Sequence, residues 1–234
     1  MKYSLARTAL ALAATLTLAS CGGGGKATFP INVTVFNVLY PGLVLSTNGM
    51  DQAVNPPAKN ADGTIPPVTF VFPKEIEYGQ TYDVIPKGQT GTNLGQMPAH
   101  QTCQAGSNTI PFPKSGTAGQ LARIELAYTC ALNVFPLGGV IKGLTATGLV
   151  LANGSGNTYT ASPTLDANQK PTGADIGFSM GSVQYGSSYG VVILTQPTGQ
   201  TCTLTGGANG TGGGVMDDAV EKAGSVSNLL VTCK

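Results

Sequence analysis

From Arg123 to Tyr128 the chain alternates: Ile124, Leu126 and Tyr128 share one side of an extended backbone, and Arg123, Glu125 and Ala127 share the other. Successive side chains of a strand point to opposite faces, so a period of two marks a strand with one face buried and one wet. The pattern predicts a strand over Leu121–Cys130. Shorter β-branched or apolar runs, bounded by Gly, Pro, Asn and Asp, predict others at Ile31–Val38, Gly42–Ser46, Val68–Phe72 and Thr81–Pro86, with a further strand at the Gln-Thr-Cys of Cys103. A second set follows at Val140–Thr147, Gly148–Ala152, Asp175–Ser179, Tyr189–Thr195, the Gln-Thr-Cys of Cys202, and Ser225–Cys233. Asn48-Gly49 and Asn153-Gly154 each predict a tight reversal, because both residue types tolerate positive φ. The stretches after them, Asn48–Pro67 and Asn153–Gly173, read as exposed loops. The one helical pattern is VMDDAVEKA, Val215–Ala223, enough for one or two turns.

The two sets of strands carry the same landmarks in the same order. Phe29-Pro30-Ile31 returns as Phe135-Pro136-Leu137, and Gly42-Leu43-Val44-Leu45 as Gly148-Leu149-Val150-Leu151. Asn48-Gly49 matches Asn153-Gly154, and Tyr78-Gly79…Tyr82 matches Tyr185-Gly186…Tyr189. Gln101-Thr102-Cys103 matches Gln200-Thr201-Cys202, and Tyr128-Thr129-Cys130 matches Val231-Thr232-Cys233. Self-similarity over about 100 residues predicts a duplicated structural unit. The expected domains are 27–131 and 132–234. Six or seven short strands in each predict an all-β fold of two tandem antiparallel β-sandwiches, immunoglobulin-like or transthyretin-like.

The N-terminus alters the picture because it gives an address. Lys2 and Arg7 precede an apolar run, Ala9–Leu18, too short to cross a bilayer core of roughly 30 Å but suited to a secretory signal. Leu18-Ala19-Ser20-Cys21 resembles a bacterial lipobox. That resemblance implies removal of residues 1–20 and acylation of Cys21, the expected lipidation site. Gly22 to Gly25 and Lys26 complete a flexible tether over 21–26. Several acyl chains on one cysteine exceed the two signals needed for stable membrane attachment. Gly22, where enterobacterial lipoproteins retained in the inner membrane carry Asp, implies by the same resemblance sorting to the outer membrane.

Charge removes one class of partner. Only 10% of residues are charged, and 12 Lys+Arg face 11 Asp+Glu. Without a clustered basic surface, nothing supports nucleic-acid binding, which draws its affinity from released phosphate counterions. No Trp and a single His leave aromatic sugar platforms and His-based metal sites poorly supplied.

Of five cysteines, acylation of Cys21 leaves four and three possible connectivities. The repeat selects among them, since each half holds one Gln-Thr-Cys and one terminal Thr-Cys. The expected disulfides are Cys103–Cys130 and Cys202–Cys233, each stabilising by roughly 3–4 kcal/mol on chain-entropy grounds. Export makes their oxidation plausible. Zinc needs closely spaced ligands, and these cysteines are too far apart.

No residue set demands a reaction. His100, before the Gln-Thr-Cys strand, lacks an evident nucleophile and orienting carboxylate, and reads as a solvated loop histidine. Glu75 and Glu77 share a face but read as solubility groups on an edge rather than a glycosidase pair. Asp217 and Asp218 read as acids at the start of the short helix, not as a Ca²⁺ loop. Gly206 to Gly214 lacks the Lys-Ser/Thr of a phosphate-binding loop and reads as a mobile hairpin. Tyr82, Tyr185 and Tyr189 read as core or corner residues. Catalytic residues, cofactors and metal ligands are therefore expected to be absent, and the chain is not expected to be an enzyme.

The run GLVLANG…YGSSYGVVILTQPTGQTC…VSNLLVTC resembles a repeat module of secreted proteins and lipoproteins of β-proteobacteria and their relatives. Residues 140–233 match it closely. The first half departs, with Lys87–Ala99 in place of the Gln-Pro-Thr-Gly segment. The resemblance implies spacer or display modules and supplies no catalytic residues. The resulting expectation is an outer-membrane-anchored envelope lipoprotein with a structural, adhesive or protein-binding role, facing another envelope protein or a glycan. Binding of a carbohydrate or small ligand is the alternative reading, and an envelope hydrolase the third.

Overall fold

The computed structural model describes residues 26–106, 114–154 and 156–234; the expected signal peptide, Cys21 and all of the tether but Lys26 lie outside the described residues. In chain order the first half forms β1 (Thr28–Phe29), β2 (Ile31–Phe36), β3 (Leu43–Thr47), β4 (Met50–Val54), β5 (Val68–Val71) and β6 (Ile76–Glu77). It continues with β7 (Thr81–Asp83), β8 (Ile85–Pro86), β9 (Gln101–Ala105), β10 (Ser115–Thr117) and β11 (Ile124–Leu132). The second half forms β12 (Val134–Lys142), β13 (Val150–Asn153), β14 (Asn157–Thr160), β15 (Ile176–Gln184) and β16 (Ser188–Thr195). β17 (Cys202–Thr205), β18 (Gly213–Val215), the helix α1 (Asp218–Ala223) and β19 (Val226–Cys233) complete it.

The protein is all-β and sandwich-like, as the alternation predicts. One sheet of the first half has the order β5-β2-β11-β9, and its counterpart is β15-β12-β19-β17. The other layer is β14-β13-β16-β18 in the second half. In the first half the corresponding strands form β4-β3-β8 and β10-β7, because the expected fourth strand is interrupted at Val84. Among the described residues all strand pairs are antiparallel except two: β2 with β11, and β12 with β19, run parallel. The first long strand of each half, β2 or β12, thus lies beside the last and in the same direction.

Alternation sets the burial. Ile31, Val33 and Val35 of β2 and Ile124, Leu126, Tyr128 and Cys130 of β11 point into one core, where Leu43, Leu45 and Val84 meet them. Ala127, on the other face, is buried as well. Leu137, Ile141, Leu149, Leu151, Val191, Leu229 and Val231 build a second, separate core. Each fully buried Leu or Ile contributes about 1.5–3 kcal/mol relative to exposure.

Both disulfides, Cys103–Cys130 and Cys202–Cys233, form as expected. Each joins directly opposed residues of neighbouring antiparallel strands, so it staples one sheet edge rather than bridging the two layers. The glutamine two residues earlier acts as a second fastener. Gln101 Oε1 accepts from the N–H groups of Leu39 and Tyr40 at 2.8 and 3.2 Å, and its Nε2 donates to the carbonyl of Asn37 at 2.8 Å. Gln200 repeats this on Thr145, Ala146 and Gly143 at 2.8, 2.9 and 2.9 Å. Asn37 and Gly143 have φ of 60° and 72°, so in each half the glutamine holds the chain where it leaves the first strand through a left-handed residue.

The structure corrects several boundaries. The first strand of the second half is Val134–Lys142, not Val140–Thr147. Gly138-Gly139 and a register shift after Pro136 in the pairing with β15 blur its period, and Gly143 ends it. The stretches expected as loops contain β4 and β14, which return from the Asn-Gly turns to pair with β3 and β13. The helix covers Asp218–Ala223 only, since Val215 belongs to β18. Gly206 to Gly214, expected as a mobile hairpin, is a compact turn: Asn209 Oδ1 accepts from Thr211 and Gly213 N–H groups at 2.9 Å each.

Candidate functional site

One residue, Asn133, separates β11 from β12, so the chain runs from one half to the other almost without interruption. All four hydrogen-bonding groups of Asn133 are used. Its N–H donates to the carbonyl of His100 at 2.9 Å, and its carbonyl accepts from the N–H of Tyr185 at 2.8 Å. Its side-chain oxygen accepts from the Thr102 hydroxyl, and its side-chain amide donates to Glu221 Oε1, both at 2.8 Å. Two partners belong to each half, so the linker residue fixes both.

Around Asn133 an aromatic and ionic cluster closes the junction. The imidazole of His100 stacks on the ring of Tyr185, with centroids 3.8 Å apart and planes within 4°. Tyr40 packs edge-on to His100 at 4.9 Å and to Tyr185 at 6.1 Å. His100 Nδ1 pairs with the Glu221 carboxylate, and Nε2 lies 3.8 Å from Asp218 Oδ1. The Tyr185 hydroxyl donates to the same Asp218 oxygen at 2.5 Å. That bond to an anion, followed by partial burial, pushes the Tyr185 hydroxyl up to about 12.

Local sequence explains how these groups arrive. Asp217 caps α1, accepting from the N–H groups of Ala219 and Val220, while Gly224 ends the helix at φ 79°. Asp218 and Glu221, three residues apart, then share one helix face. Gly186, at φ 78°, makes the sharp turn that presents Tyr185, and its N–H is held by the Met216 carbonyl. His100 itself has φ 60°, where the second half has Gly199 at φ 74°. A non-glycine residue there costs of order 1–3 kcal/mol unless its surroundings hold it. The stack, the contact with Glu221 and the Asn133 bond do so.

His100 is therefore not the solvated loop histidine expected from sequence: its side chain is only 20% exposed, and its contacts come from a helix more than 100 residues away. Asp218 likewise does more than begin a helix. The remaining candidates are placed elsewhere. Glu75 accepts from the Thr28 hydroxyl, and Glu77 pairs with Lys26 at 3.2 Å, so both fasten the β1–β6 edge. Tyr82 and Tyr189 are core residues, and the Tyr189 hydroxyl accepts from the N–H of Ala208 at 3.1 Å. Tyr78, the repeat match of Tyr185, stays 63% exposed. The signal that could have exposed the junction was a histidine occupying a left-handed position that the matching repeat gives to glycine.

Beside the junction runs an open groove of about 730 Å³, lined by Thr102, Gln104, Ala131, Leu132, Val134 and Phe135 among others. Among the described residues no helix is long and apolar enough to cross a membrane. No protein-family model matches the chain, and no curated protein matches it.

Proposed function

We propose that this chain is an outer-membrane lipoprotein of the cell envelope, anchored through acylated Cys21, whose two sandwiches serve a structural, adhesive or protein-binding role. The observation that carries this reading is the junction. Asn133 and the His100–Tyr185–Glu221 cluster bond the two halves to each other across the linker, which suits an element that holds a surface at a set distance from a membrane. The lipobox-like Leu18-Ala19-Ser20-Cys21 and the glycine tether supply the attachment. The open groove at the junction offers another envelope protein a contact surface with exposed Val134 at its rim.

The carbohydrate reading loses ground because Tyr82, Tyr185 and Tyr189 are spent on packing and hydrogen bonds. Growth of the producing cells with an alkyne-tagged fatty acid tests the anchor. The parent chain should take up label and sediment with outer membranes, and Cys21→Ala should do neither. An unlabelled, soluble parent chain would reject the reading. Cross-linking on intact envelopes then identifies what the groove meets.

A further inference from the structure

The cluster at the junction also has the composition of a metal site. One ligand atom each from His100, Asp218 and Glu221 lies within 4.8 Å of the other two. The donors come from both halves: the imidazole from the loop before β9, the carboxylates from one face of α1. One imidazole and two carboxylates suit a borderline dication such as Zn²⁺, and a fourth position stays open for water. Metal–ligand bonds of about 2.0–2.2 Å place donors roughly 3–3.6 Å apart; Glu221 faces Nδ1 and Asp218 faces Nε2, so one carboxylate turns toward the ring nitrogen that the other faces as the ion enters.

Each ligand has a further partner. Asn133 holds Glu221 Oε1, leaving Oε2 toward the imidazole. The Tyr185 hydroxyl holds Asp218 Oδ1. Tyr185 and Tyr40 fix the plane of the imidazole by stacking and edge contact. Such outer partners are what distinguishes a built site from acids that merely sit close. The strained φ of His100 adds to this: the backbone is held so that the only histidine of the chain reaches the helix of the other half.

From this geometry we infer that His100, Asp218 and Glu221 bind one Zn²⁺-like dication, which cross-links the two halves. This extends beyond the envelope role and does not depend on it.

The test is calorimetric titration of ZnCl₂ into the chelator-stripped full chain in detergent, with Co²⁺ absorption as a second readout. One ion per chain should bind, with visible Co²⁺ bands characteristic of low coordination number. His100→Ala and Glu221→Gln should each weaken binding on the order of tenfold or more, and Asn133→Ala, which removes the outer partner of Glu221 together with the bond to Thr102, about tenfold. Glu221→Gln keeps size and polarity, so it remains informative where His100→Ala disturbs folding. Saturable binding that is absent, or that both variants retain unchanged, overturns the inference and leaves a plain side-chain contact.

Discussion

At the residue scale, two glutamines and one tyrosine carry more than their sequence suggested. Gln101 is buried and satisfies three backbone groups at once. Its truncation leaves those groups unpaired, so Gln101→Ala should lower stability by about 1–3 kcal/mol, read as an earlier urea midpoint, and Gln200→Ala should do the same. Tyr128 is buried in the first core and donates to the Val84 carbonyl, and burial raises its hydroxyl above the ordinary phenol range. The raised group binds its proton more tightly folded than unfolded. Its contribution is complete below the unfolded value of about pH 10 and is lost as pH rises above it, by up to about 1.4 kcal/mol per pH unit. Urea midpoints measured from roughly pH 9 to 11 should therefore fall, and the fall should be shallower in Tyr128→Phe. Burial raises Tyr82 in the same direction, so some slope should remain. The Gln-Thr-Cys motif was legible as a landmark, but the fastening role of its glutamine was not. That role depends on where the first strand ends, and no local period encodes it.

At the element scale, the strand pair β12–β19 is the sensitive one. A Cβ on Gly139 would lie 1.9 Å from the Leu229 carbonyl oxygen, and backbone atoms cannot retreat as a side-chain tip can. Gly139→Ala should thus unfold the second half or cost several kcal/mol, among the largest effects of any point change. Gly177 faces open space and has no positive φ. Gly177→Ala in the neighbouring strand should be neutral or stabilise by up to about 1 kcal/mol through the unfolded state. Thermal unfolding of the two variants side by side checks the contrast. The same glycines explain why β12 was misplaced by sequence. Strand β11 announces itself because Ile124, Leu126 and Tyr128 alternate with charges, whereas VFPLGGVIK puts glycines where a period needs side chains. The hairpin returns β4 and β14 were hidden for a similar reason: Asp51, Gln52, Asn157 and Thr158 carry little apolar pattern, and pairing alone makes them strands.

At the scale of the whole molecule, the repeat foretold the disulfide pairing, and the two halves have matching sheet orders. What it concealed is the junction, because that depends on where the halves differ: His100 against Gly199, and Tyr185 in contact against Tyr78 in solvent. Replacing both rings, His100→Ala with Tyr185→Ala, should broaden the distribution of interhalf distances in small-angle scattering while each half keeps its own disulfide and core. An unchanged scattering profile would mean that Asn133 and the backbone bonds suffice. The parallel pairing of the first long strand of each half with its last has a mechanical consequence. Because β2 and β11 run in the same direction, as do β12 and β19, the chain enters each half at one end and leaves at the other. A pull along the chain then loads every hydrogen bond of the pair together, in shear, instead of parting them one by one. Should the pair yield, Cys103–Cys130 and Cys202–Cys233 short-circuit the tension past 27 and 31 residues of sequence. Drawn between two holders in an optical trap, the oxidised chain should give way in two tall, separate steps, and chemical reduction should lengthen each. Built this way, the protein behaves as a rope with stops knotted into it.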